Sequence, residues 1–294
     1  MNIIDGKKIS NQIKDEIKLE VQNIISNGGT PPHLAAVLVG DDGASLTYVG
    51  SKVKSCEQVG FKSTLIKLSE NVSEKELLNK IKELNNNKEI DGFIVQLPLP
   101  KHIDEQKILL SIDPNKDVDG FHPTNFGKMA LNMETFIPAT PYGIMELLKR
   151  YKIETKGKHT VVIGRSHIVG RPISILMNSK GTVGDSTVTV THSRTTNIES
   201  HIKKADIVVS ALGIPGFVKK NMLKDGVVII DVGITRVKSD KHPKGYTIQG
   251  DVDFESAKEV ASYITPVPGG VGPMTIAMLL KNTLLSKSLS KDMF

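Results

Sequence analysis

A tyrosine and a lysine stand one helical turn apart in the segment SLTYVGSKVKSCEQVG. At about 100° per residue, Tyr48 and Lys52 share one helix face and border an apolar stripe that includes Cys56. A lysine at the edge of a buried face either extends its ammonium to solvent or takes part in proton transfer. Residue type and spacing alone favour the first alternative. Cys56 is expected to fill the core rather than to react.

Further polar residues follow the apolar run GFIV. Gln96 closes that run, where a strand would meet its loop, and a buried amide needs partners such as an ammonium or a ligand. Asp117 and Asp119 stand in the turn DVDGFHP. A carboxylate there can bind a ring that has adjacent N–H donors, or simply close an Asx turn. The loop TPVPGGVGPMT (265–275) restricts its backbone with prolines while its glycines leave a ligand room to approach.

The segment HTVVIGRSHIVGRP (159–172) predicts a strand that turns directly into a helix. Gly164 ends the strand and Gly170 lies where the helix would begin, as in loops that direct helix N–H groups at a phosphate. Ser166 replaces the usual second glycine of a dinucleotide loop. An ordinary strand-to-helix turn therefore remains an alternative.

The end of the next strand indicates which nucleotide this turn would bind. STVTVT (186–191) leads into His-Ser-Arg-Thr, at the place where an acidic residue would bind the ribose 2′-hydroxyl of NAD. The Ser193 hydroxyl and the Arg194 guanidinium suit a 2′-phosphate instead, with Arg165 as a second cation nearby. The predicted cofactor is therefore NADP.

The elements that must position these residues alternate between strands and helices. Periodicity and breakers predict a helix over 6–27, another from Ser45 to Gly60, one opened by the capping box of Ser73 and Glu76, one capped by Thr140, and a last one over 274–287. Strands are expected at 33–40, 61–69, 90–99, 159–164, 186–191, 205–211 and 226–232. This order predicts an α/β fold with parallel sheets.

The composition of the chain changes between residues 113 and 141, which are rich in Asp, Pro, Asn and Gly. We take 121–140 as a crossover between two domains. An N-terminal α/β domain would comprise 1–120 and 273–294, and a Rossmann-like NADP-binding domain would comprise 141–272. The fold class predicted is thus α/β with two domains and a cleft between them.

Composition excludes several classes of protein. The 294 residues carry 38 Lys and Arg against 32 Asp and Glu, a formal charge of +6, with one cysteine and no tryptophan. One cysteine allows no internal disulfide and no cysteine-cluster metal site, and favours a reducing, cytoplasmic location. Few aromatics and no basic tail argue against a nucleic-acid partner. No signal peptide or apolar span is evident, so no membrane partner is expected.

Five motifs occur together in one order along the chain: YVGSKVKSCEQVGF, DGFIVQLPLP, DVDGFHPTNFGKM, VVIGRSHIVGRP and TPVPGGVGPMT. In these motifs the chain resembles, from end to end, the bifunctional methylenetetrahydrofolate dehydrogenase/methenyltetrahydrofolate cyclohydrolase family. The resemblance implies NADP-dependent oxidation of 5,10-methylenetetrahydrofolate to 5,10-methenyltetrahydrofolate, then hydrolysis to 10-formyltetrahydrofolate. It also implies a cytosolic homodimer and folate substrates, with or without polyglutamate tails.

Roles for individual residues also come from this resemblance. Lys52 would be the essential cyclohydrolase residue, supported by Tyr48 and Gln96, and Asp119 would bind the pterin. NADP would be bound by Gly164, Arg165, Ser166, Ser193 and Ile234, in addition to the Gly170 and Arg194 positions derived above. The loop of Pro268, Gly269 and Gly270 would border the folate.

Two other functions are compatible with parts of the sequence. A different two-domain NADP dehydrogenase, acting on a small hydroxy acid, would not need Tyr48, Lys52 and Gln96 together with the PGGVGP loop. An NADP-sensing or RNA-binding protein on an α/β scaffold would need neither Lys52 nor Gln96. The intact set of polar residues therefore favours the folate enzyme.

Overall fold

The structure, a computed structural model, describes residues 1–240 and 245–289. The chain divides into two compact units. Unit 1 comprises Met1–Ser10 and Thr140–Thr275, and unit 2 comprises Asn11–Ala139 and Ile276–Phe294. The sequence had assigned residues 1–10 to the N-terminal domain, whereas their backbone pairs within unit 1. Residues 290–294, assigned to the N-terminal domain as well, lie outside the described residues.

The strands of the described residues are short and follow the chain in this order: β1 (Asn2–Ile3), β2 (His33–Val39), β3 (Lys62–Leu68), β4 (Gly92–Val95), β5 (His159–Ile163), β6 (Thr187–Thr191), β7 (Ile207–Ser210), β8 (Val228–Asp231), β9 (Thr235–Lys238), β10 (Tyr246–Gln249) and β11 (Tyr263–Ile264). The helices are α1 (Gly6–Ser26), α2 (Gly43–Val59), α3 (Glu74–Asn86), α4 (Glu105–Leu110), α5 (Pro123–Ala130), α6 (Ala139–Arg150), α7 (Gly170–Asn178), α8 (Ile198–Ile202), α9 (Phe254–Ala257) and α10 (Val271–Leu289), with a 3₁₀ turn at Lys220–Met222.

Unit 1 is built on a six-stranded parallel sheet in the order β1-β11-β8-β7-β5-β6. Its central strands are buried on both faces, as expected when helices cover a parallel sheet. Strands β5 and β6 are neighbours in register, with Ile163 opposite Thr191. The loops that leave these two strands therefore begin side by side at one edge of the sheet.

Unit 2 is built on a three-stranded parallel sheet in the order β3-β2-β4. Its core lies between this sheet and α3, where Leu77 and Ile81 pack against Phe93. The apolar stripe predicted for α1 is also confirmed, since Ile13 and Ile17 are almost fully buried. Together, the two units confirm the predicted α/β class with parallel strands.

Several element boundaries differ from the sequence expectation for identifiable reasons. The strand expected over 90–99 ends at Val95, since Pro98 and Pro100 have no N–H with which to continue a ladder. Helix α2 begins two residues before Ser45, because Asp42 is its cap and accepts the Ser45 N–H at 2.8 Å. Thr140 does not cap α6; its hydroxyl lies 2.9 Å from that of Thr275.

Several elements were not predicted, among them the short helices α4 and α9. Strands β1 and β11 have two residues each, too few to show a period, and β9 pairs with β10 in a separate antiparallel ribbon. The expected crossover contains α5, which is capped by His122 and has Pro123 at its first position.

Within residues 1–240 and 245–289, no helix is long and apolar enough to cross a membrane.

Candidate active site

Lys52 and Gln96, far apart in sequence, are hydrogen-bonded in unit 2. The Lys52 side chain extends from α2 with only 8% of its surface exposed, and its Nζ donates to Gln96 Oε1 at 3.1 Å. Gln96 follows β4 directly, its backbone N–H is held by Val37 O at 2.9 Å, and its Nε2 donates to Leu97 O at 2.7 Å. The sequence alternative in which Lys52 reaches out to solvent is therefore wrong. The amide of Gln96 is fixed at both ends and presents its oxygen to the ammonium.

Asp119 completes a polar cluster with this pair. Burial raises the pKa of the Asp119 carboxyl, and the positive charge of Lys52 lowers it in turn. Burial has the larger effect, so the pKa of Asp119 is raised overall. A carboxylate, an amide and an ammonium are thus grouped within one unit, on three segments that are distant in the chain.

The turn that carries Asp119 is anchored by buried side chains. Asp117 is 2% exposed and accepts hydrogen bonds from His122 N at 2.7 Å and from Asn125 Nδ2 at 2.9 Å. Burial raises the pKa of Asp117 to about 7, against the lowering effect of these donors. On the other side of the turn, Asn282 Nδ2 of α10 donates to Val118 O at 2.8 Å. The position of Asp119 is therefore set by its neighbours on both sides.

Two other polar side chains belong to α2 or contact it. Tyr48, one turn before Lys52, is 40% exposed, so the ring lies at the border of the buried face as its spacing predicts. Lys14 of α1 donates from Nζ to Ser55 Oγ at 3.1 Å, one turn after Lys52. Burial lowers the pKa of Lys14. A second partly buried ammonium thus lies against the same helix.

Cys56 is fully buried on α2, and burial raises the pKa of its thiol to about 12. A thiol with such a pKa is protonated throughout the physiological range and is a poor nucleophile. The expectation that Cys56 fills the core is confirmed.

In unit 1, the predicted strand-to-helix turn forms between β5 and α7. Gly164 has φ of 117°, and a Cβ there would lie 2.3 Å from Ala211 O, so only glycine fits. Ser166 Oγ accepts the N–H groups of Val169 and Gly170, both at 3.2 Å, at the start of α7. The serine thus replaces a glycine with a side chain whose hydroxyl accepts two backbone N–H groups where the helix begins. Because the hydroxyl accepts through its lone pairs, it keeps a proton to donate to a phosphate oxygen.

The loop after β6 begins beside this turn, as the pairing of β5 with β6 requires. It folds back on His192, whose backbone N–H donates to Thr195 Oγ1 at 2.9 Å and whose Nδ1 accepts the Arg194 N–H at 3.2 Å. Ser193 and Arg194 are exposed at the tip, and Arg165 is exposed on the neighbouring turn. Two guanidinium groups and two hydroxyls therefore belong to adjacent loops of one sheet edge, a set that fits the phosphates of NADP.

The remaining predicted residues also belong to unit 1. Ile234 follows β8 and is 47% exposed. The loop of Pro268, Gly269 and Gly270 precedes α10, and its Gly269 O accepts the N–H of Lys7 at 2.9 Å. That contact fixes the loop against the first turn of α1.

Sequence reasoning missed three residues that hold the site rather than contact a ligand: Asn282, Asn125 and Lys14. Asn282 could have been noticed as an amide inside the apolar run MLLKNTLL. The roles of Asn125 and Lys14 depend on partners that only the fold brings near, and no local pattern marks them.

A parallel sheet with a glycine-bounded turn and two arginines at its edge defines the class of Rossmann-like, nucleotide-dependent enzymes. Comparisons with known proteins identify the family. The family description "Tetrahydrofolate dehydrogenase/cyclohydrolase, catalytic domain" fits residues 4–119, and its "NAD(P)-binding domain" fits residues 138–291. The chain belongs to the tetrahydrofolate dehydrogenase/cyclohydrolase family.

Individual relatives agree along nearly the whole chain. The bifunctional protein FolD of Flavobacterium johnsoniae is 70% identical over 289 residues, covering 98% of each chain. The crystal structure of the bifunctional enzyme FolD from Campylobacter jejuni is 47% identical with a TM-score of 0.93, covering 99% of each chain. The Trypanosoma brucei enzyme, solved with NADP cofactor and inhibitor, is 39% identical with a TM-score of 0.92, covering 98% of this chain and 97% of that one.

Family membership confirms the predicted resemblance, activity and cofactor. The protein is a bifunctional, NADP-dependent methylenetetrahydrofolate dehydrogenase and methenyltetrahydrofolate cyclohydrolase. The hydroxy-acid dehydrogenase and the binding-protein alternatives are set aside.

Burial of Cys56 predicts its reactivity. We expect the native protein to resist alkylation by iodoacetamide at pH 8 and to take up one label per chain in denaturant, measured by intact mass. As a positive control, Glu57→Cys places a thiol at the next, exposed position and should react in the native state. The Cys56→Ala variant should keep most of its turnover. Rapid labelling of native Cys56 would contradict the protonated, buried thiol described above.

Proposed function

We propose that Lys52 carries the protons of the cyclohydrolase reaction and that Gln96 positions its amine. The observation that carries this proposal is the hydrogen bond between Lys52 Nζ and Gln96 Oε1, made by a lysine with 8% exposure. Hydrolysis of the methenyl cation requires activation of a water and later protonation of a ring nitrogen. A single amine that alternates between neutral and charged forms can serve both steps. Gln96 holds it in either form because an amide adds no charge.

The roles of the neighbouring side chains follow from their positions in the same unit. Asp119 would accept from the adjacent N–H donors of the pterin ring, as a carboxylate held in a fixed turn can. A carboxylate at this position would also stabilise the positive charge of the methenyl substrate. Tyr48, half exposed beside Lys52, would flank the bound ring. In this assignment unit 2 is the folate-binding catalytic domain.

We assign NADP to the edge of the sheet in unit 1. Ser166 and Gly170 at the start of α7, with Gly164 before them, would hold the pyrophosphate, and Arg194 with Ser193 would hold the 2′-phosphate. Arg165 adds a second cation and Ile234 an apolar contact. Bound NADP supplies the acceptor for the hydride of the methylene carbon. The protein's part in that step is to orient the two reactants, and it needs no base at that carbon.

We extend the proposal to the setting of the enzyme. The resemblance to the family supports a cytoplasmic homodimer that also takes folates with anionic polyglutamate tails, and the loop of Pro268, Gly269 and Gly270 is assigned to the folate border. Sedimentation equilibrium at micromolar concentration should give twice the mass of one chain. A single-chain mass across that range would contradict the dimer.

The assignment of Lys52 predicts a separation of the two activities. Lys52→Met should lower cyclohydrolase turnover by about 100-fold or more, the usual contribution of a proton-transferring group. Dehydrogenase turnover should fall less than about tenfold, because hydride transfer needs no protein base. Both are measured on one preparation, by loss of supplied methenyltetrahydrofolate and by formation of NADPH. Lys54→Met, which removes an exposed lysine on the same helix, is the matched control. Equal loss of both activities in a folded variant that binds NADP would count against this division of roles.

The assignment of Arg194 predicts a change in cofactor preference. Arg194→Gln should weaken binding of NADPH by about 10- to 100-fold, since a charged hydrogen bond to phosphate is lost, and leave binding of NADH nearly unchanged. Fluorescence titration of the two reduced cofactors gives both constants. Lys204→Gln removes one charge from an exposed site of the same unit and should change neither constant. A parallel weakening of both cofactors would place Arg194 away from the 2′-phosphate.

A further inference from the structure

Two aspartates lie side by side inside unit 1, among residues to which no role has been assigned above. Asp231 is the last residue of β8 and is 3% exposed, and Asp251 follows β10 and is fully buried. Asp251 N donates to Asp231 Oδ1 at 3.0 Å. Burying two neighbouring carboxylates is unfavourable unless their oxygens are well supplied with donors.

The oxygens of Asp231 are occupied by backbone amides. Oδ1 accepts the N–H of Gly233 at 2.9 Å in addition to that of Asp251, and Oδ2 accepts the N–H of Val252 at 3.0 Å. Burial raises the pKa of Asp231 to about 6, against these donors, and the neighbouring charge of Asp251 adds to the rise. Both oxygens of Asp231 thus have backbone donors, which stabilise the ionised form against the effect of burial.

The oxygens of Asp251 hold a different loop. Oδ2 accepts the N–H of Leu212 at 2.6 Å and Oδ1 that of Ile214 at 3.0 Å. Both amides belong to the segment after β7, beyond the last residue of its ladder. Their N–H groups point at a side chain instead of at a neighbouring strand. One carboxylate therefore fixes the conformation of this loop.

The two loops held in this way are those that border the assigned nucleotide edge. The loop after β7 includes Ala211, whose carbonyl oxygen is the atom that a Cβ on Gly164 would approach to 2.3 Å. The loop after β8 leads from Gly233 to Ile234, and a Cβ on Gly233 would lie 2.4 Å from Asp251 Oδ1. The loop after β7 is thus packed against the turn of Gly164, and the loop after β8 against Asp251.

We propose that Asp231 and Asp251 are positioning residues for the cofactor, whose paired carboxylates hold the loops after β7 and β8 in the conformation that receives NADP. The proposal rests on the assignment of NADP to this edge of the sheet. Neither carboxylate needs to contact the cofactor; each acts through the backbone amides that it accepts. An ordinary structural role would instead affect the stability of unit 1 and leave the affinity for NADP unchanged.

The test is Asp251→Asn, which keeps the size of the side chain and turns one acceptor oxygen into a donor. One of the two amides, Leu212 N or Ile214 N, then faces an NH₂ group and is released. The Kd for NADPH at pH 7.5 should rise about tenfold or more, as expected for loss of a charged hydrogen bond. The KM for NADP in the dehydrogenase assay should rise more than kcat falls. Cyclohydrolase turnover of supplied methenyltetrahydrofolate, measured without nicotinamide cofactor, should stay within about twofold.

Two control variants separate positioning from stability and from charge. Leu148→Ala removes core volume from α6 of the same unit, outside the cluster against which Leu212 packs, and should lower the melting temperature without changing the Kd for NADPH. Asp225→Asn removes an exposed carboxylate and should change neither quantity. Unchanged affinity in Asp251→Asn, or an equal loss of affinity in Leu148→Ala, would overturn the proposal.

Hydrogen exchange gives a readout that does not depend on the cofactor. In the wild type the amides of Leu212, Ile214 and Gly233 should exchange slowly for loop amides, and in Asp251→Asn the first two should exchange about tenfold faster or more while β7 stays protected. Fast exchange of all three in the wild type would overturn the proposal even if Asp251→Asn failed to fold, and Asp231→Asn provides a second variant. Failure of the wild type to bind NADPH would instead overturn the cofactor assignment.

Discussion

A buried ammonium must be given acceptors to replace the water it has lost, and this requirement shapes unit 2. Removing a lysine from water costs several kcal/mol unless a partner compensates. Here the partner is the amide oxygen of Gln96, at 3.1 Å, with the carboxyl of Asp119 acting on the same charge. A neutral acceptor stabilises the ammonium less firmly than a direct carboxylate pair would. Gln96 thus compensates the buried ammonium without adding a second charge.

Parallel sheets make such an arrangement possible with short segments of chain. Every strand of a parallel sheet ends at the same edge, so side chains just beyond the strands meet without long loops. Gln96 follows β4, and Asp117, next to the turn of Asp119, bridges to Phe93 of the same strand. In unit 1 the same rule brings the turn after β5 beside the loop after β6. Each unit builds its polar site at strand ends that the hydrophobic core holds in place.

The parts of each site that follow from local chemistry could be predicted from the sequence. The spacing of Tyr48 and Lys52, the amide at the end of GFIV and the arginine after STVTVT each carry a signal within a few residues. The burial of Lys52 could not be predicted, because it depends on what packs over α2. The short strands β1 and β11 could not be predicted for a related reason. Two residues show no period, and these segments are strands only because they pair with neighbouring strands. The two hydrogen bonds that Ser166 accepts at the start of α7 likewise depend on backbone geometry that residue types do not reveal.

Loops at the functional edge of a sheet pose a problem that secondary structure does not solve. Their amides lie beyond the ladder, yet each buried N–H needs an acceptor. A carboxylate offers two oxygens with about four acceptor positions, so one aspartate can fix two or three amides at once. Asp117 does so in unit 2, and Asp231 with Asp251 in unit 1. In both units a buried aspartate fixes the backbone of a loop that follows a strand. Such an aspartate restricts the loop from its buried side. A hydrophobic side chain at the same point could not do so, because it offers no acceptor to the backbone N–H groups.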